Sequence, residues 1–79
     1  MKLNKAVSMR VEELLKTKSM TAYQLHVASG IGKSSIGNVI NCKYPSVKLR
    51  IIHEICQGLD IELSDFFNSP LFDEGDLEP

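Results

Sequence analysis

The sequence has few of the residues that build disulfide frameworks, metal sites or membrane spans. Its 79 residues include two cysteines, Cys42 and Cys56, without CxxC spacing. No apolar run approaches the roughly 20 residues that span a bilayer, and residues 1–15 lack the continuous apolar segment of a signal peptide. Two cysteines without that spacing fit a reducing compartment. We therefore expect a cytoplasmic protein with no membrane contact, disulfide or bound metal.

Recognisable catalytic patterns are also missing. His26 and His53 are the only histidines, and the sequence shows no metal-ligand spacing, paired carboxylates or nucleophile elbow. Gly32-Lys33-Ser34 resembles the end of a phosphate-binding loop, but that motif requires a glycine where Val27 stands and a preceding strand. The sequence therefore indicates a binding module without a cofactor rather than an enzyme.

Basic residues are absent from the last part of the chain. Residues 51–79 contain eight acids and no Lys or Arg, which gives a charge of −8. Residues 1–50 hold all nine Lys and Arg against two acids, which gives +7. The net charge of −1 therefore conceals a basic end and an acidic end. Such polarity suits a protein with one face turned towards phosphates.

The most informative stretch, residues 21–41, reads as two short helices joined by a tight turn. Thr21 followed three residues later by Gln24 is a capping box, so a helix should begin at Ala22. Gly30 can take the positive φ that a sharp turn requires. The two helices would then meet at a steep angle, as they do in a helix-turn-helix.

The second helix of this stretch has two different faces. Ile36, Val39 and Ile40 recur at steps of three and four residues, which predicts a buried stripe. The opposite face has no apolar side chain and consists of Lys33, Ser34, Gly37, Asn38 and Asn41. Short polar groups on an outer helix face are typical of the recognition helix of a DNA-binding helix-turn-helix.

The flanking sequence predicts three more helices and a tail. The predicted helices run from about Lys5 to Lys18, from Ser46 or Lys48 to Gly58-Leu59-Asp60, and from about Leu63 to Phe67. Leu15 lies off the strict apolar stripe of the first helix. The predicted core positions are Val7, Val11, Leu14, Met20, Leu25, Ala28, Ile36, Val39, Ile40, Leu49, Ile52, Ile55, Cys56, Leu59 and Phe66. Residues 68–79 contain four acids, two prolines and one glycine, and read as an acidic tail with little intrinsic order.

Together these features resemble the Cro and phage-repressor type of helix-turn-helix, also called the XRE type. The resemblance covers roughly residues 5–67 and rests on an ordered set of positions outside the motif as well. These positions are Val7, Val11, Leu14, Pro45, Ser46, Ile52, Ile55, Cys56, Leu59, Ile61, Leu63, Phe66 and Phe67. Membership would imply a small five-helix domain that binds operator DNA as a dimer and regulates transcription.

The resemblance also implies which residues meet DNA. Its base-reading positions fall on Lys33, Ser34 and Asn38, with Ser35 at a base or a phosphate. The chemistry agrees, because lysine donates to guanine O6 and N7, asparagine pairs with adenine, and serine contacts either. The implied phosphate contacts are Thr21, Tyr23, Asn41 and Lys43.

Three residues depart from the family pattern. Ala22 stands where relatives often carry a glutamine that braces a phosphate and the third helix. His26 stands where a small residue is usual, and it is either a hydrogen-bonded, half-buried histidine or a pH switch. Gly37 costs about 1 kcal/mol relative to alanine, so it is either neutral drift or a close approach of backbone to DNA.

We therefore predict an all-α, five-helix repressor-like domain in residues 1–67 and a flexible acidic tail in residues 68–79. Its predicted function is that of a sequence-specific transcriptional regulator, a repressor, which binds an inverted-repeat operator in duplex DNA as a homodimer. Phe67, Leu71 and Phe72 are the candidate dimer contacts, because a short terminal helix cannot easily hide so much apolar surface. The alternative is a protein-interaction module of the same fold, such as an antitoxin or antirepressor.

Overall fold

The computed structural model describes residues 1–78; Pro79, the last residue of the predicted tail, lies outside the described residues. Residues 1–78 form five α-helices and no strand. The helices are α1 (Leu3–Thr17), α2 (Ala22–Ser29), α3 (Lys33–Ile40), α4 (Leu49–Leu59) and α5 (Leu63–Phe67), followed by two 3₁₀ turns, Pro70–Phe72 and Glu74–Asp76. The predicted all-α, five-helix fold class is therefore confirmed.

The turn between α2 and α3 forms through local interactions that the sequence predicts. The Thr21 hydroxyl accepts a hydrogen bond from the Gln24 backbone N–H at 3.1 Å, and the Gln24 side chain accepts one from the Thr21 N–H at 2.8 Å. Gly30 ends α2 with φ of 76°, and its N–H donates to the His26 carbonyl. The predicted capping box and glycine turn are confirmed.

The core lies where α1, α2, α4 and α5 meet the inner face of α3. Phe66 is fully buried there, as are Leu25 and Ile55, and Cys56 is buried as predicted. The α2 and α4 backbones approach so closely that a Cβ built at Gly58 would lie 2.8 Å from the Ser29 Cβ. Glycine at position 58 therefore allows α4 to pack directly against α2.

Three predictions about the core were wrong. Ala28 is exposed, because α2 turns Leu25 and Ser29 towards α4 instead. Leu49 is 73% exposed, and Lys48 and Arg50 beside it are exposed as well, so α4 joins the core only from Ile51 onwards. Leu15, placed off the stripe of α1, is buried beside Leu14, because α1 is covered on a broader face than a strict stripe requires.

Helix α4 ends within the predicted segment, Gly58-Leu59-Asp60. Its last residue is Leu59, and Gly58 lies in its final turn. Asp60 takes the left-handed conformation at the C-terminus, with φ of 57° and ψ of 48°. Its N–H donates to the Gln57 carbonyl at 3.2 Å, and the Ile61 N–H donates to the Cys56 carbonyl at 3.0 Å. These bonds satisfy carbonyls that a helix end leaves free.

The segment after α5 begins with more packing than its composition predicts. The Ser69 hydroxyl accepts from the Leu71 N–H at 3.2 Å, and Phe72 packs against the core. The Phe72 ring lies 5.0 Å from the Phe67 ring and 6.0 Å from the Phe66 ring, centroid to centroid. Aromatic burial therefore orders the start of a polar segment. The domain boundary at residue 67 and the flexibility of the tail stay predictions.

Candidate nucleic-acid interface

Helix α3 separates buried and exposed side chains as the sequence predicts. Ile36 and Val39 are 2% and 7% exposed and pack into the core, and Ile40 packs at its edge. On the opposite side, Lys33 and Ser34 are exposed at the first turn of the helix. The free N–H groups of that turn, a lysine and a serine therefore share one surface.

Ser35 and Asn38 are half-buried and lie deeper than Lys33 and Ser34. Both line a cleft of about 510 Å³ between α3, the loop of residues 41–48 and the start of α4. Val47 and Ile51 form part of its apolar wall. The polar face of α3 thus continues into a depression with an apolar wall.

Helix α1 holds the C-terminal end of α3. The Ser8 side chain is buried and its hydroxyl donates to the Ile40 carbonyl at 2.6 Å. This bond satisfies an acceptor at a helix end and fixes α3 against α1. The sequence reasoning missed Ser8, although its place three residues before Val11 puts it on the buried face. A serine on such a face needs a hydrogen-bond partner.

The start of α1 also holds the loop that follows α3. The Asn4 side-chain amide donates to the Tyr44 carbonyl at 3.0 Å, and the Cys42 thiol donates to the Asn4 carbonyl at 3.7 Å. Cys42 itself has φ of 53°, so the loop turns sharply there. These bonds present the exposed Lys43 beside the end of α3.

The four predicted phosphate contacts are all exposed. Thr21 lies at the N-terminus of α2, where its hydroxyl already caps the helix. Asn41 lies just past α3, and the Lys43 ammonium lies 5.6 Å from the centroid of the Tyr44 ring. Tyr23 lies on the first turn of α2. These side chains come from both helices of the motif and from the following loop.

His26 supports the turn between the two helices. It is half-buried, and its Nδ1 lies 2.5 Å from the Ile31 carbonyl oxygen. Because a carbonyl only accepts, Nδ1 must carry the proton. The expectation of a hydrogen-bonded, half-buried histidine is confirmed. The His26 ring also lies 5.7 Å from the Tyr23 ring, centroid to centroid.

A side-chain contact joins α2 to α3 across the turn. The Lys33 ammonium lies 5.2 Å from the centroid of the Tyr23 ring, within the range of a cation–π interaction. Ala22, the residue before Tyr23, has no group that could reach across. Sequence reasoning did not find this pair, because nothing in the spacing of Tyr23 and Lys33 indicates that they meet.

One of the nine basic side chains points towards the acidic end. The Arg10 guanidinium donates to the carbonyls of Phe66 and Asp65, each at 2.7 Å, and pairs with Glu13. Its donors therefore stabilise the end of α5 and cannot contribute freely to a DNA-facing surface. Arg10 is thus counted in the charge of +7 over residues 1–50 although it faces α5 rather than the polar face of α3.

The candidate dimer contacts differ in exposure. Phe67 is 38% exposed, close to the 40% of Leu63 on the same short helix. Leu71 and Phe72 are half-buried, and Phe72 already packs within the chain. The exposed apolar surface at this end of the domain is therefore centred on α5.

The described residues contain neither a disulfide nor a metal-binding cluster. Cys42 and Cys56 carry free thiols. Burial, followed by the negative charge of Asp65, raises the pKa of the Cys56 thiol. Within residues 1–78, no three His, Cys, Asp or Glu side chains are grouped to hold a metal ion. No helix in the same residues has the length and apolar character required to cross a bilayer.

A capped helix, a glycine turn and a second helix with a polar outer face define a DNA-binding helix-turn-helix. A family model described as the Cro/C1-type HTH DNA-binding domain matches residues 10–70. The chain therefore belongs to the Cro/C1-type helix-turn-helix DNA-binding family, whose members are typically not enzymes. Comparison with curated proteins and with solved structures yields no match.

Proposed function

We propose that this protein is a sequence-specific transcriptional regulator, a repressor, that reads the major groove of duplex DNA with α3. The observation that carries the proposal is the two-sided character of α3, on which Ile36 and Val39 are buried while the polar face is exposed at its first turn and half-buried beyond it. The proposed base-reading residues are Lys33, Ser34, Ser35 and Asn38. Lysine and asparagine suit guanine and adenine edges respectively.

The proposed phosphate contacts flank this helix on both sides. Thr21 caps α2 and Tyr23 lies on its first turn, whose free N–H groups and dipole favour an anion. Asn41 and Lys43 lie beyond the other end of α3. Contacts on both sides of a recognition helix fix its register on the duplex, and base contacts then select the sequence.

The proposed assembly is a homodimer through the apolar surface of α5 and the 3₁₀ turn after it, with Phe67, Leu71 and Phe72 as candidate contacts. A two-fold axis there would place two recognition helices one DNA turn apart, about 34–36 Å, so the operator should be an inverted repeat. Sedimentation without and with DNA tests this part. A monomer at high micromolar concentration in both conditions would contradict it.

Selection of bound sequences from a random duplex library tests the function as a whole. We expect enrichment of an inverted-repeat sequence, with binding that weakens as salt rises. Failure to enrich any duplex would contradict the proposal and favour the alternative, in which the polar face of α3 meets a protein, as in an antitoxin or antirepressor.

Alanine variants separate base reading from phosphate contact. Asn38→Ala and Lys33→Ala should each weaken binding to the selected site by about 1–3 kcal/mol and leave non-specific binding nearly intact. Lys43→Ala should weaken binding to all sequences similarly and reduce the salt slope by about one unit. Gln57→Ala is the matched control, because Gln57 is an exposed amide on α4 beside the acidic residues Asp60 and Asp65. Unchanged preference in Asn38→Ala would contradict the placement of α3 in the groove.

A further inference from the structure

We infer that Tyr23 is a positioning residue for Lys33, and that its ring sets how strongly the protein prefers the base pair that Lys33 reads. The inference rests on the proposed function, because it takes Lys33 to contact a base. Its structural basis is the ammonium of Lys33, 5.2 Å from the centroid of the Tyr23 ring. Tyr23 belongs to α2 and Lys33 opens α3, so the contact spans the turn of the motif.

The Tyr23 ring is itself supported from the interior. Its centroid lies 5.7 Å from that of His26, one turn further along α2, with the two planes at 59°. The His26 Nδ1–H donates to the carbonyl of Ile31, a residue only 5% exposed, at 2.5 Å. A series of contacts thus runs from the buried turn through His26 and Tyr23 to Lys33.

This support has a direct consequence for recognition. A free lysine side chain has many rotamers, and ordering it on binding costs entropy. A ring beside the ammonium restricts those rotamers before DNA arrives. Because the interaction is with the face of a π-system, it occupies no acceptor atom, and N–H donors directed away from the ring remain for guanine O6 and N7.

Two roles of Tyr23 can be separated by substitution. Tyr23→Phe removes the hydroxyl proposed to contact phosphate and retains the ring beside Lys33. Tyr23→Leu removes both. Tyr44→Leu is the matched control, because Tyr44 is 55% exposed against 60% for Tyr23, and the Lys43 ammonium lies 5.6 Å from its ring centroid. The control therefore removes an equivalent cation–π contact from a loop proposed to touch phosphate.

The experiment measures a discrimination ratio on the full chain. Two duplexes are compared: the selected duplex, and one changed at the base pair for which Lys33→Ala has lost its preference. The ratio is the affinity for the first divided by the affinity for the second. Tyr23→Leu should lower this ratio about two- to fivefold, which corresponds to the strength of an exposed cation–π contact. Tyr23→Phe should retain the ratio even where its overall affinity falls, and Tyr44→Leu should retain it too. An unchanged ratio in Tyr23→Leu, or an equal loss in Tyr23→Phe, would overturn the inference.

A measurement without DNA checks the contact itself. In NMR spectra, ring current should shift the side-chain Hε protons of Lys33 upfield in the parent and in Tyr23→Phe, and this shift should vanish in Tyr23→Leu. Melting curves establish that each variant is folded. If Lys33→Ala changes no base preference, the proposed base-reading role of Lys33 is wrong. If the Lys33 protons of the parent show no upfield shift, the inferred contact with Tyr23 is wrong, whatever the result with DNA.

Discussion

Replacing Gly58 with alanine should destabilise the protein, although alanine normally stabilises a helix. A Cβ at this position would lie 2.8 Å from the Ser29 Cβ, 2.9 Å from the Leu25 Cδ1 and 3.1 Å from the Ser29 Cα. The Leu25 methyl is the end of a flexible side chain and can move. The Ser29 atoms belong to the backbone of α2 or join it directly, so α2 itself must move away from α4.

The magnitude follows from two opposing effects. Alanine is more favourable than glycine inside a helix by about 1 kcal/mol. Overpacking a filled interface costs about 1–3 kcal/mol, and contacts with backbone favour the upper half of that range. The free energy of unfolding should therefore fall by about 1–2 kcal/mol in Gly58→Ala. For a domain of this size, the melting temperature should fall by about 5–15 °C.

Gly37 offers the matched comparison, because it also lies inside a helix. A Cβ at Gly37 would meet nothing within 4 Å, so the only effect left is that alanine is intrinsically more favourable than glycine inside a helix. Gly37→Ala should raise the free energy of unfolding by about 0.5–1 kcal/mol. Its DNA affinity should fall, because we propose that the backbone of α3 approaches DNA there. Unchanged affinity in the stabilised variant would show that the glycine has no part in DNA binding.

Urea and thermal unfolding followed by circular dichroism measure both glycine variants. Ser29→Gly provides a second test, because it removes the Cβ that Gly58→Ala would meet. It also loses the 3.1 Å hydrogen bond from the Ile31 N–H to the Ser29 hydroxyl. The Ser29→Gly variant is therefore the reference against which the double variant Ser29→Gly/Gly58→Ala is compared. Gly58→Ala should cost less in that background than in the parent. A Gly58→Ala protein as stable as the parent would refute the close-packing argument.

Three further predictions concern a helix end, the thiols and the acidic tail. Asp60→Gly should raise the free energy of unfolding by about 0.5–1 kcal/mol, because Asp60 has φ of 57°, whereas the control Asp60→Asn should gain less. A thiol reagent should label Cys42 in the folded protein and reach buried Cys56 only on unfolding. Since burial raises the pKa of the Cys56 thiol, the unfolded thiol ionises first, and unfolding titrations should show stability falling as pH rises above the ordinary thiol pKa of about 8.5. Neutralising the four acids of residues 68–79 changes the formal charge from −1 to +3; non-specific DNA binding should tighten at low salt only, and equal affinity at every salt concentration would contradict a tail effect.

The start of α1 gives that tail prediction a structural basis. The Met1 amino group donates to the Asp76 carbonyl at 2.8 Å and lies 3.4 Å from a Glu78 carboxylate oxygen. Asn4, less than one helical turn further along, holds the loop that carries Lys43. The acidic tail and a proposed phosphate contact therefore flank the same end of α1. Truncation at residue 67 would also remove the packed Phe72, so neutralisation is the cleaner change.

Sequence predicts best those parts of the fold that form through interactions between residues close together in the chain. The capping box at Thr21 and the glycine turn at Gly30 each involve residues only a few positions apart, and the structure contains both. Ala28 was misplaced because an eight-residue helix has only about two turns, too few to define its buried face. The end of α4 at Gly58-Leu59-Asp60 was predicted correctly. The close approach of Gly58 to Ser29 was not predicted, because Ser29 lies on another helix.

In the candidate site too, features that depend on nearby residues were predicted, and contacts between helices were not. The polar face of α3 is visible from the periodicity of Ile36 and Val39, because burying one side of a helix exposes the other. The Tyr23–Lys33 contact and the bond from Ser8 to Ile40 require knowledge of how the helices cross. The charge of +7 was predicted from composition, but composition does not reveal that Arg10 faces α5.

The meeting of the two ends of the described chain has a consequence for engineering. The Glu78 N–H donates to the Met1 carbonyl at 2.9 Å, so residues 1 and 78 lie side by side. A linker of a few residues could close the chain into a ring, and new ends could then be opened in an exposed connection. In a tandem fusion, the linker would join the last residue of one copy to the first residue of the next, and these two residues occupy nearly the same place on each copy. The shortest linker that still lets both copies bind DNA would therefore measure how far apart these places lie in the DNA-bound pair.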